Sequence, residues 1–158
     1  MVSDGVGEKR LGELKNIIDF AIEKEQEAVE FYTDIAGKVK TKALSGELRK
    51  IAAMEEGHRD RLKKMDVGAA AMSVAKPVMD LHIAEYTVNA KPSPDMSWSD
   101  IVNIAIHREL ASINLYADLG KLVSDPLAKK MFENLVEEEK AHKLFFEKIW
   151  DDEILTSN

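Results

Sequence analysis

The sequence predicts an all-α protein: a four-helix bundle made of two repeated helical hairpins that are joined by a long crossover. Three observations support this fold class. Apolar residues recur at alternating steps of three and four in four long segments, which is the spacing of a helix face in a bundle core. Three of the four prolines lie between residues 66 and 97, so this segment separates two helical halves. The halves also match without a gap at an offset of 84 residues, as Ala21/Ala105 and Tyr32/Tyr116 show.

Length and composition limit the class of protein. A chain of 158 residues with 45% apolar and 32% charged residues is expected to form one globular domain, residues 1–158. A net charge of −7 argues against nucleic acid as a partner. The sequence has no cysteine, which excludes disulfides, thiolate metal sites and a cysteine nucleophile. Neither a secretory signal nor an apolar run of the ~18 residues that span a membrane is visible. We therefore expect a cytoplasmic protein without membrane contact.

The first half of the chain predicts two helices, about residues 10–38 and 43–65, with a turn near residues 37–41. Their core-facing rows follow the three-and-four spacing. The first row is Leu11, Leu14, Ile18, Ala21, Glu25, Ala28, Tyr32, Ile35 and Val39, and the second is Leu44, Leu48, Ile51, Glu55, His58, Leu62 and Met65.

The crossover is expected at residues 66–97, where a short helix could open at Pro77. The second half then repeats the hairpin. Its first helix, about residues 98–123, is predicted to start near Ser97 or Ser99. Its second helix, about residues 126–150, has Asp125 as an N-cap and Pro126 at the first helical position.

Six ionisable residues occupy core-facing positions in these four helices. In each hairpin the two glutamates are 30 residues apart (55 − 25 and 139 − 109), and the midpoint falls at the turn. Positions equidistant from a turn lie at the same height on antiparallel helices, and a Glu-x-x-His pair presents both side chains to one face. We therefore predict that four carboxylates and two imidazoles meet in one layer of the bundle: Glu25, Glu55, His58, Glu109, Glu139 and His142.

Such a layer is costly without counter-charges, because each unpaired buried carboxylate costs several kcal/mol. The core-facing rows contain no lysine or arginine. Two divalent cations would balance four carboxylates, and ligation by oxygen with one nitrogen per metal suits iron or manganese. The alternative is chance, because Glu-x-x-His occurs often in charged helices and such residues can reach solvent. The matched spacing in all four helices favours metal ligands.

The angle on the helix predicts the surroundings of the other residues near the layer. Tyr32 and Tyr116 each lie two turns from a predicted ligand, so they either pack in the core or hydrogen-bond a ligand carboxylate of the opposite hairpin. Asp34 and Asp118 lie half a turn away from the ligand glutamates, which predicts surface positions.

Four short motifs resemble the ligand motifs of the ferritin-like di-iron carboxylate superfamily: EQEAVEFY (25–32), EEGH (55–58), ELASINLY (109–116) and EKAH (139–142). The first is most similar to rubrerythrins. The resemblance implies a ferritin-like bundle, a di-iron centre held by the six residues, and reaction with peroxide or dioxygen. Rubrerythrins also carry a cysteine-ligated rubredoxin-like module and a further glutamate at the position of Ser112. This sequence has neither, which implies six ligands and a separate electron donor protein.

We therefore consider three functions. The first is a di-iron oxidoreductase, of the peroxidase or ferroxidase type, that reacts with peroxide or dioxygen in defence against oxidative stress. The second is an iron-handling protein that binds metal without peroxidase turnover. The third is a metal-free structural bundle. A homodimer is expected in each case, since bundles of this kind often pair.

Overall fold

The computed structural model describes residues 3–74, 81–88 and 92–155, and no strand occurs in this part of the chain. It contains two compact units, Met1–Val78 and Met79–Asn158. The described α-helices are α1 (Ser3–Ala36), α2 (Lys42–Lys64), α3 (Val67–Met72), α4 (Trp98–Leu122) and α5 (Pro126–Ile149). No helix in the described ranges has the length and apolar character that a bilayer crossing requires. The expected single domain stays a prediction.

The first unit is a helical hairpin of α1 and α2, with α3 packed against α1. Thr41 caps α2, because its side chain accepts a hydrogen bond from the amide of Leu44 at 3.2 Å. The hydroxyl of Ser45 donates to the carbonyl of Ala36 at 2.8 Å and ties the start of α2 to the end of α1. The core between the helices is apolar apart from three ionisable residues and includes Leu14, Ile18, Ala21, Tyr32, Ile35, Leu48, Ile51 and Leu62.

Helix α1 begins seven residues before the expected start at residue 10. Gly5 and Gly7 disfavour a helix in this segment, because each glycine within a helix costs about 1 kcal/mol relative to alanine. The extension is largely solvent-exposed around these glycines. At Arg10 the helix gains a tertiary contact, because the guanidinium donates to the carbonyl of Val74 at 2.6 Å. The other three predicted long helices differ from the observed bounds by at most one residue at either end.

The second unit repeats the hairpin with α4 and α5. Ser97 opens α4 in a reciprocal capping box with Asp100, so the start is at Ser97 rather than Ser99. Asp125 caps α5 by accepting from the amide of Ala128 at 3.0 Å. The ammonium of Lys129 donates to the carbonyl of Gly120 at 2.8 Å. This bond is the repeat equivalent of the Ser45–Ala36 bond.

The crossover is partly helical. It contains α3 and a 3₁₀ turn, Ile83–Tyr86. The expected start of a short helix at Pro77 falls within residues 75–80, which lie outside the described part. Tyr86 is buried and donates from its hydroxyl to the Asp118 carboxylate on α4 at 2.6 Å. This contact holds the 3₁₀ turn against α4. A π-helical turn, Trp150–Leu155, follows α5.

Candidate metal centre

Six ionisable side chains are buried in the two hairpins, and they are the six that the three-and-four pattern placed in the core. None is more than 4% exposed. In the described part of the chain no other charged or histidine side chain is buried. They are Glu25 on α1, Glu55 and His58 on α2, Glu109 on α4, and Glu139 and His142 on α5.

The first unit brings three of these side chains together, and we call Glu25, Glu55 and His58 the first triad. The Nδ1 atom of His58 lies 3.4 Å from Oε2 of Glu55 and 3.7 Å from Oε2 of Glu25. One possible ligand atom from each residue lies within 4.8 Å of the others. The hairpin produces this geometry because one glutamate comes from α1 and the Glu-x-x-His pair from the facing helix.

The second unit repeats the arrangement with Glu109, Glu139 and His142, the second triad. The Nδ1 atom of His142 lies 3.3 Å from Oε1 of Glu139 and 3.8 Å from Oε1 of Glu109. Candidate ligand atoms of these residues also lie within 4.8 Å of one another. The two triads therefore have nearly the same internal geometry, as their equivalent positions in the sequence repeat led us to expect.

The donor set and spacing of each triad fit one divalent metal ion. Two atoms bound to one ion at about 2.1 Å lie about 3.0 to 4.2 Å apart, and the four measured distances fall in that range. Two carboxylates balance a divalent charge, and a neutral imidazole adds a nitrogen ligand. Each lysine and arginine in the described part is half-buried or exposed, so no basic side chain is buried with the triads.

One bracing contact beside the first triad was missed by the sequence analysis. Arg59, which follows His58, donates from Nη1 to Oε1 of Gln26, which follows Glu25. This hydrogen bond links α1 and α2 next to the first triad. The repeat equivalents are Leu110 and Lys143, which cannot form it. Aligning the two halves would have flagged the pair as a place where the hairpins differ.

Both predicted tyrosines are buried in the hairpin cores. Tyr32 is 0% and Tyr116 1% exposed. The ring of Tyr116 stacks on Phe132, with centroids 6.3 Å apart and an interplanar angle of 16°. The ring of Tyr32 meets Phe31 edge-on at 5.1 Å. These contacts establish core packing, while a hydrogen bond to a ligand carboxylate stays a prediction.

The two matching aspartates have different surroundings. Asp34 is exposed and pairs with Lys38 at 3.0 Å, as a surface residue should. The surface prediction for Asp118 is wrong, because this residue is half-buried and accepts the hydroxyl of Tyr86. Burial raises the pKa of the Tyr86 phenol above its usual range, and the hydrogen bond to Asp118 raises it further. No sequence signal linked Tyr86 to α4.

A protein-family model covers most of this chain. Residues 16–150 match the family model described as Rubrerythrin. No curated protein matches the chain significantly.

Three solved structures resemble the chain closely in fold. One, from Thermotoga maritima, is described as a candidate ferritin-like diiron-carboxylate protein; it has a TM-score of 0.69 and 19% identity, with 88% of this chain and 95% of that chain covered. A hypothetical protein from Pyrococcus furiosus has a TM-score of 0.64 and 23% identity, with coverage of 89% and 88%. Bacterioferritin from Desulfovibrio desulfuricans, solved with its diiron site in different catalytic states, has a TM-score of 0.63 and 20% identity, with coverage of 89% and 81%. The all-α, ferritin-like fold class is therefore confirmed.

Proposed function

Because the chain belongs to the rubrerythrin family, we propose that its two buried triads together hold a di-iron centre that reacts with peroxide or dioxygen. The observation that carries this proposal is the pair of buried Glu₂His sets at equivalent positions of the repeat. Six ligands for two metals leave coordination positions for a small oxidant. Manganese, or a mixed pair of metals, fits the same donors.

The proposed reaction is an oxidoreductase step. Two bound ferrous ions would supply the two electrons that, with two protons, reduce one peroxide molecule to two water molecules. The chain binds the ions through the triad carboxylates and imidazoles, and burial keeps bulk water away from them. Tyr32 and Tyr116 are proposed to position ligand carboxylates by hydrogen bonding. Electrons would return from a separate donor, because none of these 158 residues is a cysteine that could hold a rubredoxin-type iron.

Metal analysis and rapid mixing test the proposal. The purified protein, loaded anaerobically with ferrous salt, should hold about two ions per chain, one for each Glu₂His set. Stopped-flow mixing with hydrogen peroxide or dioxygen should then oxidise the iron, which is observed as a rise in the absorbance of ferric iron. A loaded protein that is inert to both oxidants would contradict an oxidoreductase and leave the iron-handling function. A protein that binds no metal would leave the metal-free structural bundle.

Two further expectations belong to the same proposal. A cytoplasmic location would supply the reducing conditions that a ferrous centre needs. A homodimer is expected from the family resemblance, and its measurement by light scattering is independent of the metal chemistry.

A further inference from the structure

The two triads have the same ligand types, but the residues beside them differ between the hairpins. In the first hairpin, Arg59 on α2 donates from Nη1 to Oε1 of Gln26 on α1. Each partner directly follows a triad residue in the chain, His58 in one helix and Glu25 in the other. This Gln26–Arg59 bridge therefore joins the two helices one residue away from a candidate ligand on each of them.

Further contacts hold both partners of the bridge in place. The amide nitrogen of Gln26 donates to Oε1 of Glu30 at 3.3 Å. The guanidinium of Arg59 donates to Oδ1 of Asp60 at 3.1 Å and to Oε1 of Glu56 at 3.4 Å. The Arg59 side chain is only 19% exposed, so these charge-assisted bonds compete less with water than bonds on an open surface do. The two carboxylates offset the charge of Arg59, which leaves the link between the helices as the main effect of the bridge.

The second hairpin cannot form the same bridge. The equivalent positions hold Leu110 and Lys143 (26 + 84 and 59 + 84), and a leucine side chain has no hydrogen-bond acceptor. Lys143 pairs with Glu147 on its own helix at 2.9 Å. Asp60 is likewise replaced by an exposed leucine, Leu144. The two hairpins thus combine matching ligands with different supporting residues.

Support of this kind bears directly on metal affinity. A triad takes its ligands from two helices, so the helices must hold a fixed separation when an ion is bound. A bond that fixes this separation beforehand reduces the conformational freedom that is lost on binding. In metalloproteins generally, replacing residues that only support a ligand changes metal affinity by about 10- to 100-fold.

We propose that Gln26 and Arg59 are positioning residues of the first triad, and that their bridge makes the two triads unequal in affinity for a divalent metal ion. The inference rests on the proposed function, because it concerns the same metal centre. The bridge should tighten binding at the first triad by about tenfold. Metal in limiting supply would then occupy the first triad before the second, which provides a route to a mixed pair of metals.

The test must measure each triad alone. Two binding steps in the wild type would not be sufficient, because a second cation near the first binds more weakly even at identical sites. His142→Ala removes a ligand of the second triad, so tight binding of manganous ion by this variant reports on the first triad. His58→Ala isolates the second triad in the same way.

Gln26→Leu is the central variant. It introduces the residue found at the equivalent position 110 and changes no formal charge. Combined with His142→Ala, it should raise the dissociation constant for manganous ion about tenfold, measured by equilibrium dialysis and mass spectrometry of the metal. Combined with His58→Ala, it should leave the dissociation constant unchanged. Equal effects in the two backgrounds, or none in either, would overturn the inference.

Thr41→Ala distinguishes positioning from a loss of stability. This change removes the cap of α2, so it weakens the same hairpin without touching the bridge. Combined with His142→Ala, it should lower the free energy of unfolding but leave the manganous affinity unchanged. If it weakens metal binding as much as Gln26→Leu does, destabilisation explains the effect and the positioning role is wrong.

The reciprocal change installs the bridge in the second hairpin. Leu110→Gln with Lys143→Arg, in the His58→Ala background, should tighten manganous binding, again with no change of formal charge. An unchanged affinity, in a protein with the circular dichroism of its parent, would count against the inference. If neither single-histidine variant retains manganese, Gln26→Leu is measured in the otherwise unchanged protein, where it should weaken the tighter of two binding steps and spare the other.

These measurements are independent of the oxidative chemistry. If the ferrous wild type is inert to peroxide and dioxygen while the manganous affinities change as expected, the proposed reaction is wrong and the unequal triads stand. If the wild type reacts with an oxidant but Gln26→Leu has no selective effect, only the unequal triads are wrong. A wild type that binds neither metal would contradict both.

Discussion

In α2 and in α5, a buried glutamate of a triad stands next in the chain to a glutamate outside the triad. These pairs can distinguish a specific metal ligand from an effect of negative charge in general. Glu55 and Glu139 are buried in the triads, whereas their neighbours in the chain face outward: Glu56 is exposed and Glu138 half-buried. Adjacent helical residues point about 100° apart, so one member of each pair cannot replace the other. The pairs therefore provide matched variants of the same residue type, one ligand and one neighbour on each helix.

Replacing a ligand should weaken metal binding far more than replacing its neighbour. Glu55→Ala or Glu139→Ala is expected to lower metal affinity at least tenfold, because even residues that only support a ligand change affinity by about 10- to 100-fold. Glu56→Ala and Glu138→Ala should retain the occupancy of the wild type. Inductively coupled plasma mass spectrometry after gel filtration measures the bound metal. Equal losses within a pair would mean that the register of the core-facing rows is wrong.

Tyr86 predicts a pH dependence of stability. Its raised pKa means that the folded protein holds the phenolic proton more tightly than the unfolded chain does. The contribution of Tyr86 is therefore complete below its unfolded pKa of about 10 and is lost as the pH rises through the higher folded pKa. In Tyr86→Phe the free energy of unfolding should fall less steeply between about pH 9 and pH 11 than in the wild type.

Urea unfolding across that pH range measures the difference. At neutral pH, Tyr86→Phe should cost about 1 kcal/mol, because a net hydrogen bond to a partly exposed carboxylate is lost. Phenolate absorbance provides an independent readout, since Tyr86→Phe should remove one phenol that ionises later than a free tyrosine does. If the free energies of unfolding of the two proteins change in parallel with pH, then the ionisation of Tyr86 is not coupled to folding.

At the scale of whole elements, the two hairpins use equivalent start signals for their second helices. Thr41 caps α2 and Asp125 caps α5, and the two positions are related by the repeat offset of 84 (125 − 41). A bond from the first turn back to the preceding helix accompanies each cap, from Ser45 and from Lys129. Each hairpin turn is thus closed by hydrogen bonds between side chains and backbone atoms that lie close together in the sequence.

Removing either cap should destabilise the protein by a similar amount. Thr41→Ala and Asp125→Ala are each expected to cost about 1 kcal/mol, because an amide of the first turn loses its acceptor. For a chain of this size that corresponds to a fall in Tm of about 2 to 4 °C in differential scanning calorimetry. Lys130→Ala, an exposed change within α5, should leave Tm nearly unchanged and serves as the control. A fall of the same size in the control would remove capping as the explanation.

At the scale of the whole molecule, the proposed metal binding should be coupled to folding. Six ionisable side chains are withdrawn from water in a chain whose described lysines and arginines all keep contact with solvent. Bound cations would offset that cost only in the folded state, since the unfolded chain does not assemble the triads. The protein should therefore be considerably more stable with metal than without it.

Thermal unfolding measures this coupling directly. A free metal concentration of about 100 times Kd should add about 2.7 kcal/mol and raise Tm by about 5 to 10 °C. The double variant Glu55→Ala/Glu139→Ala should lose most of this rise, because one ligand is removed from each triad. Ferrous salt under anaerobic conditions and manganous salt are compared with magnesium. A Tm that no metal changes would contradict a metal centre in the folded protein.

The sequence by itself determined the four long helices apart from the start of α1, the cap of α5 at Asp125 and the six ligand candidates. These features depend on residues three or four positions apart and on a repeat that can be read directly, so local periodicity was sufficient. Burial of two glutamates and a histidine in each hairpin follows from that periodicity, because a helix in a bundle turns one fixed face to the core.

Only the tertiary structure decided which residues meet across larger separations. Tyr86 and Asp118 are 32 residues apart, and Arg59 and Gln26 are 33 apart. Asp34 and Asp118 occupy equivalent positions in the repeat, yet Asp118 accepts a hydrogen bond from Tyr86 of the crossover whereas Asp34 pairs with the nearby Lys38. Such contacts are set by three-dimensional packing, which helical periodicity in the chain does not encode.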